Sequence, residues 1–238
     1  MDTLAVIPAR GGSKGIQRKN IQPLGGKPLV SYVIQAAIHS SSVTRTVVST
    51  DDPEIARVAR EYGAEVPFLR PAELSGDTVP DLPVLLHAVD FLREAEGWHP
   101  EVLVHLRPTY PLILPEDIDQ AVSRLVASQA HSVRTVCPVS YHPYLMRVLE
   151  QSWLLPLMET GQAFYRRQDM PPVYRTSGVD ATRTRLIIEE HRIIGDRVQA
   201  VITDPERVID IDTPHDLALA ECLLSMSRNS DSAPWWWR

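Results

Sequence analysis

Four short apolar runs limit most strongly what this chain can fold into. Residues 4–7, 46–49, 102–106 and 133–136 are each four or five residues long, rich in β-branched side chains and bounded by polar or turn-forming segments, the pattern of buried strands. Between and after them, residues 28–39, 53–62, about 82–96 and about 115–127 carry helical spacing. Strands that alternate with helices predict an α/β fold, a three-layer nucleotide-binding domain around a mostly parallel sheet. Ligands of such sheets sit beyond the carboxyl ends of the strands. The segments that follow the first three runs are therefore expected to share one pocket.

The first run ends at Pro8 and opens into a loop with three glycines and four cations, Arg10, Gly11, Gly12, Ser13, Lys14, Gly15, Arg18, Lys19 and Asn20 included. Glycine tolerates positive φ and close backbone approach, so successive N–H groups can curl around an anion. The cations add charge that folding alone does not require. This is the chemistry of a triphosphate cradle, with a solvated basic turn as the plainer alternative. The spacing is neither that of a Walker A loop nor that of a dinucleotide-binding fingerprint.

Composition narrows the partners. With 238 residues, 44% hydrophobic and 23% charged, the chain can bury one sizeable core. A net charge of −6 argues against a general nucleic-acid binder and suits a basic pocket for a small polyanion. Cys137 and Cys222 are too few and too far apart for a disulfide framework or a zinc site. No apolar run approaches the roughly 20 residues of a membrane helix, and no signal peptide precedes the first strand, so a cytoplasmic protein without membrane contact is expected.

From about residue 140 to 185 the alternation breaks, with Pro143, Pro156, Pro171 and Pro172 among aromatics such as Tyr144, Trp153 and Tyr174. An irregular lobe of hairpins is expected there, inserted into one domain spanning about 1–228. Residues 198–209 return to the sheet, and a closing helix follows over 214–226, with Thr213 as its cap. Residues 229–238 read as a flexible tail, with Trp235, Trp236 and Trp237 able to dock on a surface.

Six blocks in order then resemble the acylneuraminate cytidylyltransferase family, enzymes that join CMP from CTP to sialic-type and some other acids. They are Pro8–Gly15 with Arg18–Asn20, residues 49–56, residues 69–74 with Asp77 and Thr78, residues 107–112, Cys137 and Pro138 with His142 and Pro143, and residues 209–214. Together they span about residues 3 to 225. The resemblance implies a nucleotidyltransferase (GT-A-like) fold, a homodimer built by the 140–185 lobe, and a Mg2+-dependent transfer from CTP. Arg10 and Lys19 would neutralise the triphosphate, with Lys19 closest to the reacting phosphorus. Gly11, Gly12, Ser13, Lys14 and Asn20 would add contacts to it. Arg70, Asp77 and Asp81 would frame cytidine. Asp210 and Asp212 would hold the metal: on an extended segment residues i and i+2 share a side, so both carboxylates can face one ion. Asp212 as a plain helix cap is the alternative; Asp51 and Asp52 could orient ribose or base, with a plain N-cap equally open for Asp52.

The acceptor end departs from the family pattern. Arg107 stands where relatives usually carry glutamine, and Tyr110 where they carry serine. Arg167 and Arg175 match an arginine pair that grips the acceptor carboxylate, and residues 176–180, Thr-Ser-Gly-Val-Asp, replace the usual Asn-Gly-Ala-Ile-Tyr. Glutamine donates and accepts, whereas arginine only donates, in a fork suited to carboxylate or phosphonate. On that ground the chain looks like the phosphonate-activating relatives, those that take phosphonoformate in phosphonate natural-product pathways. Three alternatives stay open: a nonulosonic acid as acceptor, Arg107 merely paired with a nearby acid, and, outside this activity, another sugar-nucleotide pyrophosphorylase or a non-catalytic nucleotide-binding protein. His142 is the one residue considered as a base in the acceptor region.

Overall fold

The protein is described by a computed structural model that covers residues 1–159, 166–228 and 237. The first half of the chain runs β1 (Thr3–Pro8), β2 (Pro23–Leu24), β3 (Lys27–Pro28), α1 (Leu29–His39), β4 (Arg45–Ser49), α2 (Pro53–Glu61), α3 (Asp81–Glu96), β5 (Val102–Leu106) and α4 (Pro115–Ala127). The second half adds β6 (Ser132–Pro138), β7 (Arg147–Glu150), β8 (Trp153–Pro156), β9 (Tyr174–Arg183), α5 (Thr184–Glu189), β10 (Val198–Ile202) and α6 (Pro214–Arg228). Six strands form one sheet in the order β10-β6-β9-β5-β1-β4. All its pairings are parallel except those of β9, which runs antiparallel between β5 and β6. The expected mostly parallel α/β sheet is what forms.

Period-two alternation builds the three layers. Along β1, Leu4 and Val6 pack with Leu85, Ala88 and Leu92 of α3, while Ala5 and Ile7 face Val30 and Val33 of α1, Ile55 of α2 and Ile118 of α4. Each strand side chain points to the face opposite its neighbour's, so one strand serves two cores. Helix ends carry their own signals. Asp52 accepts from the Glu54 and Ile55 amides at 2.8 and 3.2 Å, with Pro53 opening α2, which assigns it the N-cap. At α6, the Asp216 amide donates to the Thr213 hydroxyl (3.3 Å) and the Thr213 amide to the Asp216 carboxylate (2.8 Å). That reciprocal pair caps the helix and leaves the Asp212 carboxylate out of the cap.

Two expectations need correction. The stretch 140–185 is not irregular throughout: its last part is β9, the central antiparallel strand, with residues 177–182 buried. Serine, glycine, aspartate and threonine hide it from a reading by β-propensity, because its side chains are chosen for neighbours rather than for hydrophobicity. In the tail, Trp237 is the one described residue, and it is 2% exposed, packed with Leu24, Tyr32, Ile209, Ile211 and Leu224. The docking option therefore holds for Trp237, whose large apolar surface favours burial. Trp235 and Trp236 lie outside the described residues. No helix among the described residues is long and apolar enough to cross a membrane.

Candidate active site

The loop after β1 is fastened to the far end of β4. The Ala9 amide donates to the Ser49 carbonyl (2.9 Å) and the Gly11 amide to Asp51 (3.0 Å). Arg18 donates to both oxygens of Asp52, at 2.9 and 2.8 Å, and pairs with Glu54. Asp51 and Asp52 thus hold the loop rather than a ribose. The glycines serve by close approach: a Cβ on Gly11 would stand 2.8 Å from an Asp52 carboxylate oxygen, and one on Gly15 would stand 2.2 Å from the Asp212 carbonyl oxygen. The expectation of positive φ in these glycines fails. In this loop the left-handed residue is Arg18, at φ 53, where its two acidic partners hold it. Gly12 has nothing within 4 Å of a built Cβ, so packing does not require glycine there.

A cavity of about 470 Å³ opens at the carboxyl ends of β1, β4 and β5. From the loop it is lined by Arg10, Ser13, Lys14, Lys19 and Asn20, and across from them by Arg70, Asp77, Asp81, Thr109 and Asp212. Ten positions drawn from five parts of the chain converge there, and all but Thr109 are candidates from the sequence. Gly11, Gly12, Arg107, Arg175 and Asp210 do not line it. Asn20 braces the loop by donating to the Arg10 carbonyl at 2.9 Å. Asp77 pairs with both Arg10 and Lys14 at 2.5 Å, and Lys14, then Arg10, hold its carboxyl below the usual carboxylate range. Its carboxylate therefore faces the glycine-rich loop across the cavity. Arg70 is 6% exposed, and burial pushes its guanidinium down to about 10. It donates to the Ser49 hydroxyl (3.0 Å) and to the Ser49 carbonyl, so it anchors the end of β4 while forming one wall.

Of the late aspartates, Asp212 reaches the same cavity from the other end of the chain. Ile211 is fully buried and its amide donates to the Thr109 carbonyl (2.9 Å), which presents Asp210 and Asp212 on either side of it. Lys19 Nζ lies 2.8 Å from Asp212 Oδ1 and 2.7 Å from the Ile211 carbonyl oxygen. The Tyr110 hydroxyl donates to Asp210 Oδ2 at 3.0 Å, and burial, with Asp210 adding to it, pushes that phenol up to about 12. Gly178, at φ 97, makes room for the ring, since a Cβ there would stand 2.6 Å from Tyr110 Cγ. Among the described residues no group of three metal-ligating side chains occurs. Two hard carboxylates without nitrogen or sulfur partners are a donor set that fits magnesium, which leaves most positions to water and phosphate oxygens.

On the acceptor side the structure answers the question of Arg107 by pairing it. Arg107 lies 3.1 Å from Asp180 and 3.8 Å from Asp81. Arg134 donates twice to the same Asp180, at 2.6 and 3.2 Å. Arg175 donates to the Val208 carbonyl at 2.8 Å. The Arg167 side chain lies outside the described residues. His142 has both ring nitrogens engaged, by the Pro171 carbonyl (3.0 Å) and the Tyr144 amide (3.1 Å), so it is no candidate base. Asp180 and Arg134 are residues that sequence reasoning missed. The available signal was an ionisable side chain inside a buried run, which demands a partner.

His105 sits beneath this cluster, 1% exposed, and its Nδ1 has no hydrogen-bond partner among the described residues. Burial first, then the Arg107 charge, pushes it down to about 4, against the pull of Asp81 and Asp180 and with a further push from Arg134. The folded protein thus holds it neutral, while the unfolded chain protonates near 6.5. Stability is complete above about pH 6.5 and falls as pH drops toward 4, by on the order of 2–3 kcal/mol. Urea unfolding at several pH values in that window measures this slope. Equal slopes for the wild type and His105→Gln would show the imidazole to be uninvolved.

Comparison with known proteins supplies the family. The cytidylyltransferase family profile matches residues 4–223. The chain is 34% identical over 97% of its length to a CMP-N,N'-diacetyllegionaminic acid synthase of Legionella pneumophila, covering 99% of that protein. It is 32% identical, over 97% of its length and 99% of the other, to a pseudaminic acid cytidylyltransferase of Campylobacter jejuni. The fold is similar to that of a CMP:2-keto-3-deoxy-manno-octonic acid synthetase solved with CTP, at a TM-score of 0.70 and 16% identity, covering 95% of this chain and 99% of that one. With a profile match over nearly the whole chain and full-length relatives above 30% identity, the chain belongs to the cytidylyltransferase family and is a CTP-dependent nucleotidyltransferase.

Proposed function

We propose that the chain transfers CMP from CTP to a nonulosonic acid of the sialic, legionaminic or pseudaminic type and releases pyrophosphate. The observation that carries the transfer chemistry is the 2.8 Å contact between Lys19 and Asp212, which joins the glycine-rich loop to the late aspartate segment at one cavity. The acceptor class is drawn from the relatives, whose names refer to legionaminic, pseudaminic and acylneuraminic acids. The preference for a phosphonate rested on Arg107 and its neighbours; Arg107 is paired with Asp180, and the names of the relatives favour a nonulosonic acid.

In this reading Arg10, Lys14 and Lys19 hold the triphosphate, helped by Ser13 and Asn20. Asp77, which pairs with Arg10 and Lys14 in the nucleotide-free protein, gives those cations up to the phosphates. Arg70 and Asp81 shape the cytidine end. The acceptor hydroxyl oxygen forms the new bond to the α-phosphorus, the bond to pyrophosphate breaks with its electron pair going to the leaving oxygen, and the hydroxyl proton passes to solvent water. Lys19 stabilises the negative charge that grows on the transferring phosphate, a fixed charge in a walled cavity being worth several kcal/mol there. Asp210, steadied by Tyr110, and Asp212 would hold Mg2+, which when bound supplies a Lewis-acid contact to phosphate oxygens. Arg175, beside the Asp210 segment, and Arg167 are assigned to the acceptor carboxylate. Incubation with CTP, Mg2+ and N-acetylneuraminate or its legionaminic and pseudaminic counterparts should give a CMP conjugate by mass spectrometry. Product formed with none of these acids, but formed with phosphonoformate, would replace the acceptor assignment. That second reading draws on Arg107 and Arg134, whose side chains stay 30% and 27% exposed.

The hairpin of β7 and β8 is assigned to a homodimer interface. Trp153 is 72% exposed and Leu154 69%, with Leu149 and Tyr141 similarly bare, an apolar surface larger than a solitary monomer keeps. Light scattering should return twice the 26.7 kDa chain mass, and Leu154→Glu should shift the protein to monomer. A monomeric wild type at micromolar concentration would remove the assignment.

A further inference from the structure

The geometry points to Asp180 as the residue that sets which acceptor charge this enzyme accepts. This rests on the reading that Arg107 faces the acceptor. Asp180 lies in the middle of β9, opposite His105 of β5 and Arg134 of β6 in the sheet register. Period two and the antiparallel pairing place His105, Asp180 and Arg134 side by side on one face, with Arg107 two residues beyond His105 on the same side. The carboxylate is 1% exposed and takes both guanidiniums, Arg107 at 3.1 Å and Arg134 at 2.6 Å. Asp81, which also lines the nucleotide cavity, stands 3.8 Å from Arg107 on the outer side.

The charges in this group cancel. Two arginines face two aspartates, and His105 is neutral. Arg107, joined to the cavity wall through Asp81, is therefore a directional donor with little net field around it, suited to a carboxylate monoanion bearing hydroxyls. Without Asp180 the same fork carries uncompensated charge and suits a small dianion such as phosphonoformate. A buried carboxylate shared by two half-exposed arginines does nothing for the apolar core that a hydrophobic residue would not do better. Its effect is on the charge and aim of the guanidiniums. Asp180 acts through Arg107, so it is a specificity-determining and positioning residue.

The test compares kcat/KM for N-acetylneuraminate and for phosphonoformate, with CTP binding measured separately by titration calorimetry. Asp180→Asn, which keeps the shape, should move the ratio toward phosphonoformate by about tenfold, through the acceptor KM, while CTP affinity stays within about twofold. Arg134→Gln changes the group's charge in the opposite sense and should move the ratio the other way. Adding Arg107→Gln to Asp180→Asn should abolish the shift, because the effect runs through that side chain. An unchanged ratio in either single variant overturns the inference while the activity itself stands. If Asp180→Asn does not fold, Arg134→Gln, at a partly exposed position, decides alone. A wild type that prefers phosphonoformate overturns both this inference and the nonulosonic acceptor. A wild type that binds CTP but uses neither acid overturns both as well.

Discussion

Lys19→Met is expected to lower kcat by about 10²–10³-fold while CTP affinity falls much less, because the ammonium acts on charge that develops during transfer. The argument is geometric. Lys19 is the loop cation that pairs with Asp212, and its own side chain is 14% exposed, so it is held rather than free. Its two partners, the Asp212 carboxylate at 2.8 Å and the Ile211 carbonyl at 2.7 Å, fix the ammonium between the phosphate loop and the aspartate segment. Arg10 and Lys14, in contrast, share Asp77 at the cavity's other side. Arg10→Gln should therefore mainly raise the KM for CTP. Pyrophosphate release at saturating CTP and acceptor measures the difference, and a Lys19→Met enzyme within threefold of wild-type kcat would remove the lysine from the chemistry.

The second large effect belongs to the paired carboxylates. Asp212→Asn is expected to reduce turnover by about 10³-fold and to abolish Mg2+ binding by the nucleotide-free protein, since a two-carboxylate site has no ligand to spare. Asp210→Asn should be less severe in folding terms, because asparagine oxygen can still accept from the Tyr110 hydroxyl. Calorimetric titration of Mg2+ provides the readout independent of activity. Lys19→Met sharpens it: that variant loses turnover yet keeps or gains Mg2+ affinity, because it releases Asp212 from its ion pair. If Asp212→Asn bound Mg2+ as the wild type does, the carboxylates would have another role, and the 2.8 Å pair with Lys19 would read as a fold-stabilising bridge.

Much of the site was legible before any coordinates. The phosphate loop announces itself by chemistry packed into a few consecutive residues, and Arg10, Lys14, Lys19 and Asn20 do line one cavity with Asp212. The i, i+2 rule with an apolar residue between Asp210 and Asp212 correctly buries Ile211, while of the two aspartates Asp212 lines the cavity. Of the two reasons read for the glycines, close approach holds, at Gly11 against Asp52 and Gly15 against Asp212, whereas the positive φ falls at Arg18. Such contacts, between residues 40 and nearly 200 positions apart, leave no mark in the local sequence. The partner of Arg107 was out of reach for the same reason: the sequence left its pairing with an acid open and could not name Asp180.

Local chain physics decided the elements. Strand and helix periods, Pro53 and Pro115 at helix starts and the Thr213–Asp216 cap each depend on residues within a turn of one another, and the sequence alone specified them. The same holds for the sign of the charge each loop carries. Tertiary structure alone decided which of those charges survive. Arg107 and Asp180 are 73 positions apart, and only the antiparallel insertion of β9 between β5 and β6 sets them 3.1 Å from each other. Electrostatic interaction depends on distance through space and on burial, and neither is a property of sequence separation.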